Sequence, residues 1–270
     1  MTRSPETEAC GILLAGGTGS RLAPLTDQMS KHLLPVDETP MICYPLATLM
    51  QAGIRHILII STPTHLAEYK KLLGSGETLG VNFEYAEQKH PDGLPQALTI
   101  GAAFTNSLPV VLMLGDNIFW GGSLIERLRT AIREPEGATL FALEQPNAEQ
   151  YGVVEFGGDG EILALSEKPK VPKSSWVITG AYVFDRHAAE FASALAPSAR
   201  GETEMTDLLE CYRSRGLLRA DRLEPKTRWF DAGTPETLAA AAQAVGEARQ
   251  AGNTFLGKPD RIASANGWIA

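Results

Sequence analysis

A glycine-rich turn with an arginine beside it is the first group of residues that could do chemistry. Residues 16–22 read Gly-Gly-Thr-Gly-Ser-Arg-Leu and directly follow the apolar run of residues 11–15. Glycines just after a strand let the backbone come close to a ligand, so that free N–H groups can face phosphate oxygens, and Arg21 adds a planar cation suited to the same oxygens. The pattern predicts a phosphate-binding loop, with an ordinary glycine-rich turn as the alternative. It lacks the Gly-Lys-Ser/Thr of a P-loop and the G-x-G-x-x-G of a dinucleotide fingerprint.

Three more charged residues could join this loop. Lys31 follows the arginine, Asp116 comes just past an apolar strand, and Asp231 lies in the segment Trp-Phe-Asp-Ala-Gly. Taken singly, they could be a surface lysine, a helix N-cap and a turn residue. Together, two cations and a strand-end carboxylate gather at one sheet edge, and Asp231 joins them if the fold returns it there. Two carboxylates with phosphate oxygens would make an adequate Mg²⁺ site, because Mg²⁺ prefers hard oxygens and few protein ligands.

Alternating strand and helix patterns in the first half must position these residues. The predicted strands are residues 10–15, 56–61, 81–86 and 110–114, and the predicted helices are residues 41–52, 65–73, 94–104 and 123–133. This alternation predicts an α/β fold with a Rossmann-like, mostly parallel central sheet and helices on both faces. Ligands bind beyond the carboxyl ends of the strands in such sheets, which is where the glycine loop and residues 115–117 lie.

The second half has a different pattern and is predicted to form a substrate-binding lobe on the first. The predicted strands are residues 138–143, 151–156, 161–166, 177–184 and 229–231, with Gly-Gly-Asp-Gly at residues 157–160 as a hairpin turn. Helices are predicted at residues 188–195, 204–215 (with Thr203 as a candidate cap) and 235–250. There is no internal repeat and no long linker, so we expect one domain.

Composition limits the class of partner. The net charge of -8 argues against nucleic acid and anionic membranes, which favour a basic surface, but not against nucleotides. The 3 cysteines are widely spaced and read as free thiols in a reducing compartment. No apolar run approaches the roughly 18 residues of a membrane span, and the first residues lack a signal-peptide pattern. We therefore expect a cytoplasmic protein.

Six motifs in a fixed order resemble those of the sugar-1-phosphate nucleotidyltransferases. They are Leu-Ala-Gly-Gly-Thr-Gly-Ser-Arg-Leu (14–22), Pro-Asp-Gly-Leu (91–94), Leu-Gly-Asp-Asn (114–117), Tyr-Gly-Val-Val-Glu-Phe (151–156), Glu-Lys-Pro (167–169) and Pro-Ser-Ala-Arg-Gly-Glu (197–202). The resemblance runs from about residue 10 to about residue 268. It implies a GT-A-like fold with a nucleotide-binding part at about 10–135, a sugar-binding part at about 136–235 and a helical tail at about 236–270.

The resemblance implies a reaction in which a sugar 1-phosphate attacks the α-phosphorus of a nucleoside triphosphate and pyrophosphate leaves. The attacking phosphate is already anionic at neutral pH, because its second pKa is near ~6, so positioning and electrostatics matter more than a general base. Arg21 would stabilise the transition state and the departing pyrophosphate, and Lys31 would bind the same phosphates. Asp116 and Asp231 would hold Mg²⁺, and Lys168 would bind the sugar phosphate.

The resemblance also implies the substrate contacts. The nucleotide, dTTP with UTP as the alternative, would be bound by Leu14, Gly16, Gly17, Thr18, Gly19, Ser20, Arg21, Gln88, Pro91, Gly93, Leu94, Gly115 and Asp116. The sugar, in glucose 1-phosphate, would be bound by Asn117, Tyr151, Gly152, Glu167, Lys168, Ile178, Tyr182, Thr206 and Trp229, the last equally well explained by packing. His32 is interpreted as peripheral.

Three alternative functions must be weighed, and the C-terminal segment differs from that of longer family members. A uridylyltransferase would share the mechanism, a catalytically inactive sugar-nucleotide-binding regulator would lack the charged residues that are present, and a Rossmann oxidoreductase needs the missing G-x-G-x-x-G. The family implies a homotetramer or homodimer. Its longer members build a second, inhibitory nucleotide site from C-terminal helices. We expect that site to be absent or altered here, where Gly257 and Pro259 interrupt the tail.

Overall fold

Short apolar runs separated by glycine-rich turns form the strands. The computed structural model describes residues 9–17 and 19–269. The strands it contains are β1 (Cys10–Ala15), β2 (Pro35–Val36), β3 (Thr39–Pro40), β4 (His56–Ser61), β5 (Asn82–Glu87), β6 (Val110–Leu114), β7 (Asn117–Trp120), β8 (Ala138–Glu144), β9 (Gly152–Phe156), β10 (Ile162–Glu167), β11 (Trp176–Phe184), β12 (Leu218–Arg222) and β13 (Arg228–Asp231).

Nine of these strands form one central sheet. Its centre is the parallel set β6-β1-β4-β5, with Leu13 of β1 opposite Ile59 on one side and Met113 on the other. β11 then joins antiparallel to β6, and it carries the β9–β10 hairpin and β8, with β12 parallel to β8. The predicted α/β fold with its parallel centre is confirmed, and the second half extends the same sheet.

Helices cover both faces of the sheet. They are α1 (Cys43–Gln51), α2 (Leu66–Leu73), α3 (Gln96–Ile100), α4 (Ala102–Thr105), α5 (Leu124–Arg133), α6 (Ala188–Ser193), α7 (Met205–Arg213), α8 (Pro235–Gln250) and α9 (Pro259–Ala265). Leu13 and Ala15 of β1 share a core with α1, α5 and α9, whereas Ile12 and Leu14 share another with α3, α6 and α7. Alternate residues of a strand point to opposite faces, so a wholly apolar strand is covered on both.

A third core lies under α8. Val36, Ile118 and Ala232 pack there against Ala241 and Val245 of the helix. The helix begins with a reciprocal capping box between Thr234 and Thr237 and has proline at its first turn, so its start is well defined. This core fixes the small β7–β13 sheet against the rest of the fold.

Several element predictions need correction. The predicted helix 94–104 is divided at Gly101, where a Cβ would lie 2.5 Å from Ile12 Cδ1. Thr203 does not cap α7, because the N-cap is Glu204 and the Thr203 hydroxyl donates to Asp92 O instead. Pro259 begins α9 rather than interrupting a helix, since a first-turn proline loses no helical hydrogen bond.

No described helix is both long enough and apolar enough to cross a membrane.

Candidate active site

The carboxyl ends of two neighbouring parallel strands bring the first predicted residues together. β1 ends at Ala15 and leads into the glycine loop, while β6 ends beside it, because Leu14 pairs with Leu114. The N–H of Gly115 donates to Leu14 O at 2.8 Å. The glycine loop and the segment carrying Asp116 therefore leave the sheet side by side, as expected for this edge.

Asp231 reaches the same edge through a short antiparallel strand pair. The β13–β7 register places Asp231 opposite Asn117, and the N–H of Ala232 donates to the backbone oxygen of Asp116 at 3.0 Å. The fold therefore returns Asp231 to the sheet edge where Asp116 lies, as the predicted cation site requires.

Lys31 and Asp116 form a largely buried ion pair. Lys31 Nζ donates to Asp116 Oδ2 at 2.5 Å, and the two side chains are only 14% and 11% exposed. Burial alone would raise the pKa of Asp116, but the Lys31 charge and hydrogen bonds from Lys31 and Asn117 hold it below its ordinary value. Asp116 is therefore ionised at neutral pH, which is the form that binds a cation.

His32, interpreted as peripheral from the sequence, is buried beside the turn that carries Asp116. Its Nδ1 lies 3.3 Å from Ser30 Oγ and 3.4 Å from the Tyr69 hydroxyl. A Cβ built on Gly115 would lie 2.7 Å from His32 Cδ2, so the ring packs directly against the turn that carries Asp116. Burial and the Lys31 charge lower the pKa of His32 to about 3, so the ring is neutral.

Asn117 is a hydrogen-bonding centre behind Asp116. Its Nδ2 donates to Asp116 Oδ1 at 2.9 Å, and its Oδ1 accepts from Gly180 N at 3.1 Å and from Trp229 Nε1 at 2.6 Å. A Cβ on Gly180 would lie 2.6 Å from Asn117 Cγ, so only glycine leaves room for this contact. Asn117 and Trp229 are both buried, and these bonds orient the Asp116 carboxylate.

The side chains of Arg21 and Asp231 both lie next to Gly233. A Cβ on Gly233 would lie 2.7 Å from Arg21 Nη2 and 3.0 Å from Asp231 Oδ1. Burial and the neighbouring Asp116 raise the pKa of Asp231 to about 6, against the opposing charges of Lys31, Arg21 and Lys168. Arg21 and the segment carrying Asp116 therefore both lie close to Asp231.

The two carboxylates suit a divalent cation that shares its shell with substrate oxygens. In residues 9–17 and 19–269, no group of three or more His, Cys, Asp and Glu side chains could hold a metal alone. Asp116 raises the pKa of Asp231, so the pair repel each other, and a divalent cation would relieve this repulsion. One or two carboxylates plus phosphates are the usual protein ligands of Mg²⁺.

The loop at residues 88–94 lies against the glycine loop. Gln88 is buried, and its Oε1 occupies the space that a Cβ on Gly16 would fill, so glycine at position 16 admits the amide. Gln88 Nε2 points to the Gly93 carbonyl at 3.4 Å. Leu94 is half-buried against the core, and Pro91 is exposed.

Gly93 is the residue of this loop that glycine alone can occupy. Its φ is 117°, and a Cβ would clash with Thr203 O. We expect Gly93→Ala to lower the free energy of unfolding by about 1–3 kcal/mol, since it adds strain and a backbone clash. Urea denaturation measures this change. Gly158→Ala is the control: its Cβ would meet no described atom within 4 Å. Equal stability of both variants would show that residue 93 is unconstrained.

A second cluster surrounds Gly152. A Cβ there would lie 3.2 Å from Thr206 Cγ2, 3.3 Å from Ile178 Cδ1 and 3.4 Å from Glu167 Oε2. Four of the residues predicted to bind the sugar, including Gly152 itself, therefore lie close together. Tyr151 contacts Trp229 with ring centroids 5.1 Å apart. Tyr182 is buried, and burial followed by the Glu167 charge raises the pKa of its hydroxyl.

Lys168 lies at the edge of this cluster. Its N–H donates to Tyr151 O at 3.0 Å, its φ is 41°, and its Nζ lies 3.7 Å from Glu167 Oε1. Arg200, which was not predicted, lies 3.4 Å from Glu167 Oε1. Its presence in the Pro-Ser-Ala-Arg-Gly-Glu motif was the signal that could have found it.

The remaining predicted residues follow the glycine loop. Leu14 is buried at the end of β1, and Gly17 and Ser20 are exposed. Gly19 has φ 65° and lies beside Thr26. Thr18 lies outside the described residues.

Comparisons with known proteins identify the family of this chain. Residues 10–248 match the nucleotidyl transferase family. The glucose-1-phosphate thymidylyltransferase of Neisseria meningitidis serogroup A is 46% identical over 260 residues, which are 96% of this chain and 90% of the relative. A Bacillus anthracis structure, assigned the same activity and bound to sucrose, has a TM-score of 0.82 at 38% identity and covers 87% of this chain and 94% of its own. UDP-glucose pyrophosphorylase with UDP-glucose has a TM-score of 0.78 at 23% identity, covering 90% of this chain and 99% of its own, which shows the fold alone.

Proposed function

The chain belongs to the nucleotidyl transferase family, and we propose that it makes dTDP-glucose and pyrophosphate from dTTP and glucose 1-phosphate. The observation that carries the proposal is the meeting of charged groups at one sheet edge: Lys31 pairs with Asp116, and Arg21 lies beside Asp231, whose strand is bonded to the Asp116 backbone. Cations and carboxylates at one sheet edge suit a reaction that joins two polyanions, because its barrier is set by charge and position. The relatives named glucose-1-phosphate thymidylyltransferase support the choice of substrates.

The residues divide the work of a direct displacement. The sugar phosphate attacks the α-phosphorus of dTTP with its own anionic oxygen, so no side chain need remove a proton. Lys168 binds that phosphate and reduces the repulsion between the two substrates, while Arg21 and Lys31 stabilise charge on the triphosphate and on the leaving pyrophosphate. Asp116 and Asp231 would hold Mg²⁺, which supplies further neutralisation of phosphate charge when bound.

The two substrates occupy two parts of the fold in this proposal. The glycine loop and the Gln88–Gly93 region bind the nucleotide within about residues 10–135, and the Gly152 cluster binds the sugar within about residues 136–235. The tail follows at about residues 236–270. A homotetramer or homodimer and a cytoplasmic location remain predictions.

The alternatives have weaker support. The uridylyltransferase reading rests on a fold likeness at 23% identity, below the identity of the thymidylyltransferase relatives. An inactive regulator would have no use for an ionised Asp116 paired with Lys31 beside a second carboxylate.

Turnover with each nucleotide tests the proposal. The purified protein is mixed with Mg²⁺, glucose 1-phosphate and dTTP, UTP, ATP, CTP or GTP, and pyrophosphate release is followed. The expected result is a clear preference for dTTP that EDTA abolishes. A preference for UTP would keep the mechanism and change the product, and binding without turnover would favour the regulator.

Replacing Lys168 with methionine tests the sugar-phosphate contact. Methionine keeps the length of the side chain but removes its charge, so we expect kcat/KM for glucose 1-phosphate to fall on the order of 100-fold, with a smaller change in the KM for dTTP. Initial rates at saturating dTTP measure this effect.

Lys170→Met is the matched control, because Lys170 is exposed two residues further along the same loop. It should retain wild-type rates. Equal losses in the two variants would show that general surface charge, not a specific contact, is responsible.

A further inference from the structure

Three polar side chains form a continuous hydrogen-bonded chain that ends beside the glycine loop. Gln96 Nε2 donates to Asp92 Oδ2 at 2.8 Å, and Gln88 Nε2 donates to Gln96 Oε1 at 2.8 Å. The chain runs from the exposed Asp92 to the buried Gln88, whose Oε1 lies against Gly16. None of the roles assigned above uses Asp92 or Gln96.

The carboxylate at one end determines the orientation of both amides. An ionised carboxylate can only accept, so the group facing Asp92 must be the NH₂ of Gln96. The oxygen of Gln96 therefore faces Gln88 and must receive an N–H. Both donors of Gln88 Nε2 are thereby used, one on Gln96 Oε1 and one on the Gly93 carbonyl. Among residues 9–17 and 19–269, no donor bonds Gln88 Oε1, which is left as an acceptor.

The backbone of Asp92, where the row of hydrogen-bonded side chains begins, is held in place by Thr203. Thr203 donates twice to the Asp92 carbonyl, from its N–H and from its hydroxyl, at 2.8 Å each. The next residue, Gly93, has the φ of 117° that lets this loop turn against Thr203. These contacts with Thr203 therefore hold the backbone that carries the Asp92 carboxylate.

We propose that Asp92, acting through Gln96, fixes the Gln88 amide so that Oε1 is presented as an acceptor to the nucleotide base. Thymine and uracil carry an N–H at ring position 3, whereas cytosine carries an acceptor there, so the fixed acceptor selects the first two bases and rejects the third. This inference rests on the proposed function for the location of the base. It makes Asp92 and Gln96 positioning residues for base selection.

Asp92→Asn tests whether the Asp92 carboxylate sets the direction of the hydrogen bonds to Gln96 and Gln88. Asparagine offers both a donor and an acceptor, so the Gln96 amide is no longer fixed in one orientation. Gln88 is then held only by its longer, 3.4 Å contact with the Gly93 carbonyl, and losing that one weak bond lets it offer Nε2 to cytosine. The dissociation constants of dTDP and dCDP are measured by calorimetry for the whole protein. We expect the preference for dTDP over dCDP to fall roughly 10-fold, the effect of one hydrogen bond exchanged for a mismatch, with thermal stability little changed.

The double variant Asp92→Asn/Gln96→Glu moves the carboxylate one place along the chain. The new carboxylate at position 96 can only accept, so it receives N–H groups from the new amide at position 92 and from Gln88, whose Oε1 is again the free acceptor. We expect the double variant to restore the preference for dTDP, which a merely structural role of Asp92 would not. Glu87→Gln, which removes one carboxylate charge at an exposed neighbour of Gln88, should leave the preference unchanged.

The outcomes separate this inference from the proposed function. An unchanged preference in Asp92→Asn, or no restoration in the double variant, would overturn the inference even if the enzyme makes dTDP-glucose. A wild-type protein that prefers dTDP but lacks turnover would overturn the proposed reaction, while the change in preference would still support the hydrogen-bonded chain.

Discussion

Replacing Asp116 with asparagine should lower kcat on the order of 10³-fold, the upper end of what one electrostatic group contributes. The amide keeps the shape of the side chain and can still bond Asn117, but it carries no charge for a cation and cannot neutralise Lys31, which lies 2.5 Å away. Pyrophosphate release at saturating dTTP and glucose 1-phosphate, over a range of Mg²⁺ concentrations, measures the loss.

Asp159→Asn is the control for this change, because Asp159 is exposed in the turn between β9 and β10. It should behave as the wild type does. If Asp116→Asn kept more than a tenth of the wild-type kcat while folded, the carboxylate would not be needed for the chemistry, and the assignment of a cation to Asp116 and Asp231 would be wrong.

Arg21→Met should lower kcat by about 10²–10³-fold with a smaller change in KM, because the guanidinium is assigned to charge that develops as pyrophosphate leaves. Arg21→Lys should fall between the two, since lysine keeps the charge but not the planar pair of donors. The split between kcat and KM, from initial rates with dTTP varied, decides between transition-state and ground-state binding.

Arg133→Met, at the exposed end of α5, is the matched arginine control and should be silent. A rise in the KM for dTTP with kcat unchanged in Arg21→Met would contradict the proposed role. It would leave Arg21 as an ordinary binding residue.

The long, strongly patterned elements could be predicted from the sequence. β1, β4, β6 and α8 have the predicted bounds, because each is an apolar run or a capped helix with clear ends. β2, β3, β7 and β12 were not predicted. They lack a long continuous apolar run, and each becomes a strand only by pairing with a distant or neighbouring segment. Such pairing is a tertiary effect that local pattern does not contain.

The part of the site that depends on the parallel sheet could be predicted from the sequence. Asp116 and the glycine loop lie at a strand end, which the parallel sheet makes a ligand-binding edge. The surroundings of Asp116 were not predictable, because Asn117 is held by Trp229, 112 residues away, and by Gly180 of β11. The burial of His32 was not predicted, because it depends on the fit of the ring against Gly115, which no periodic pattern in the sequence indicates.

The contacts of Asn117 also bear on how the enzyme matures during synthesis. Its amide oxygen accepts hydrogen bonds from strands that emerge from the ribosome at very different times. The second carboxylate at this edge, Asp231, comes from β13, which follows all the strands of the central sheet in the sequence. A nascent chain can therefore complete the parallel centre of its sheet and its glycine loop early, yet it cannot bring both carboxylates together until β13 has been translated.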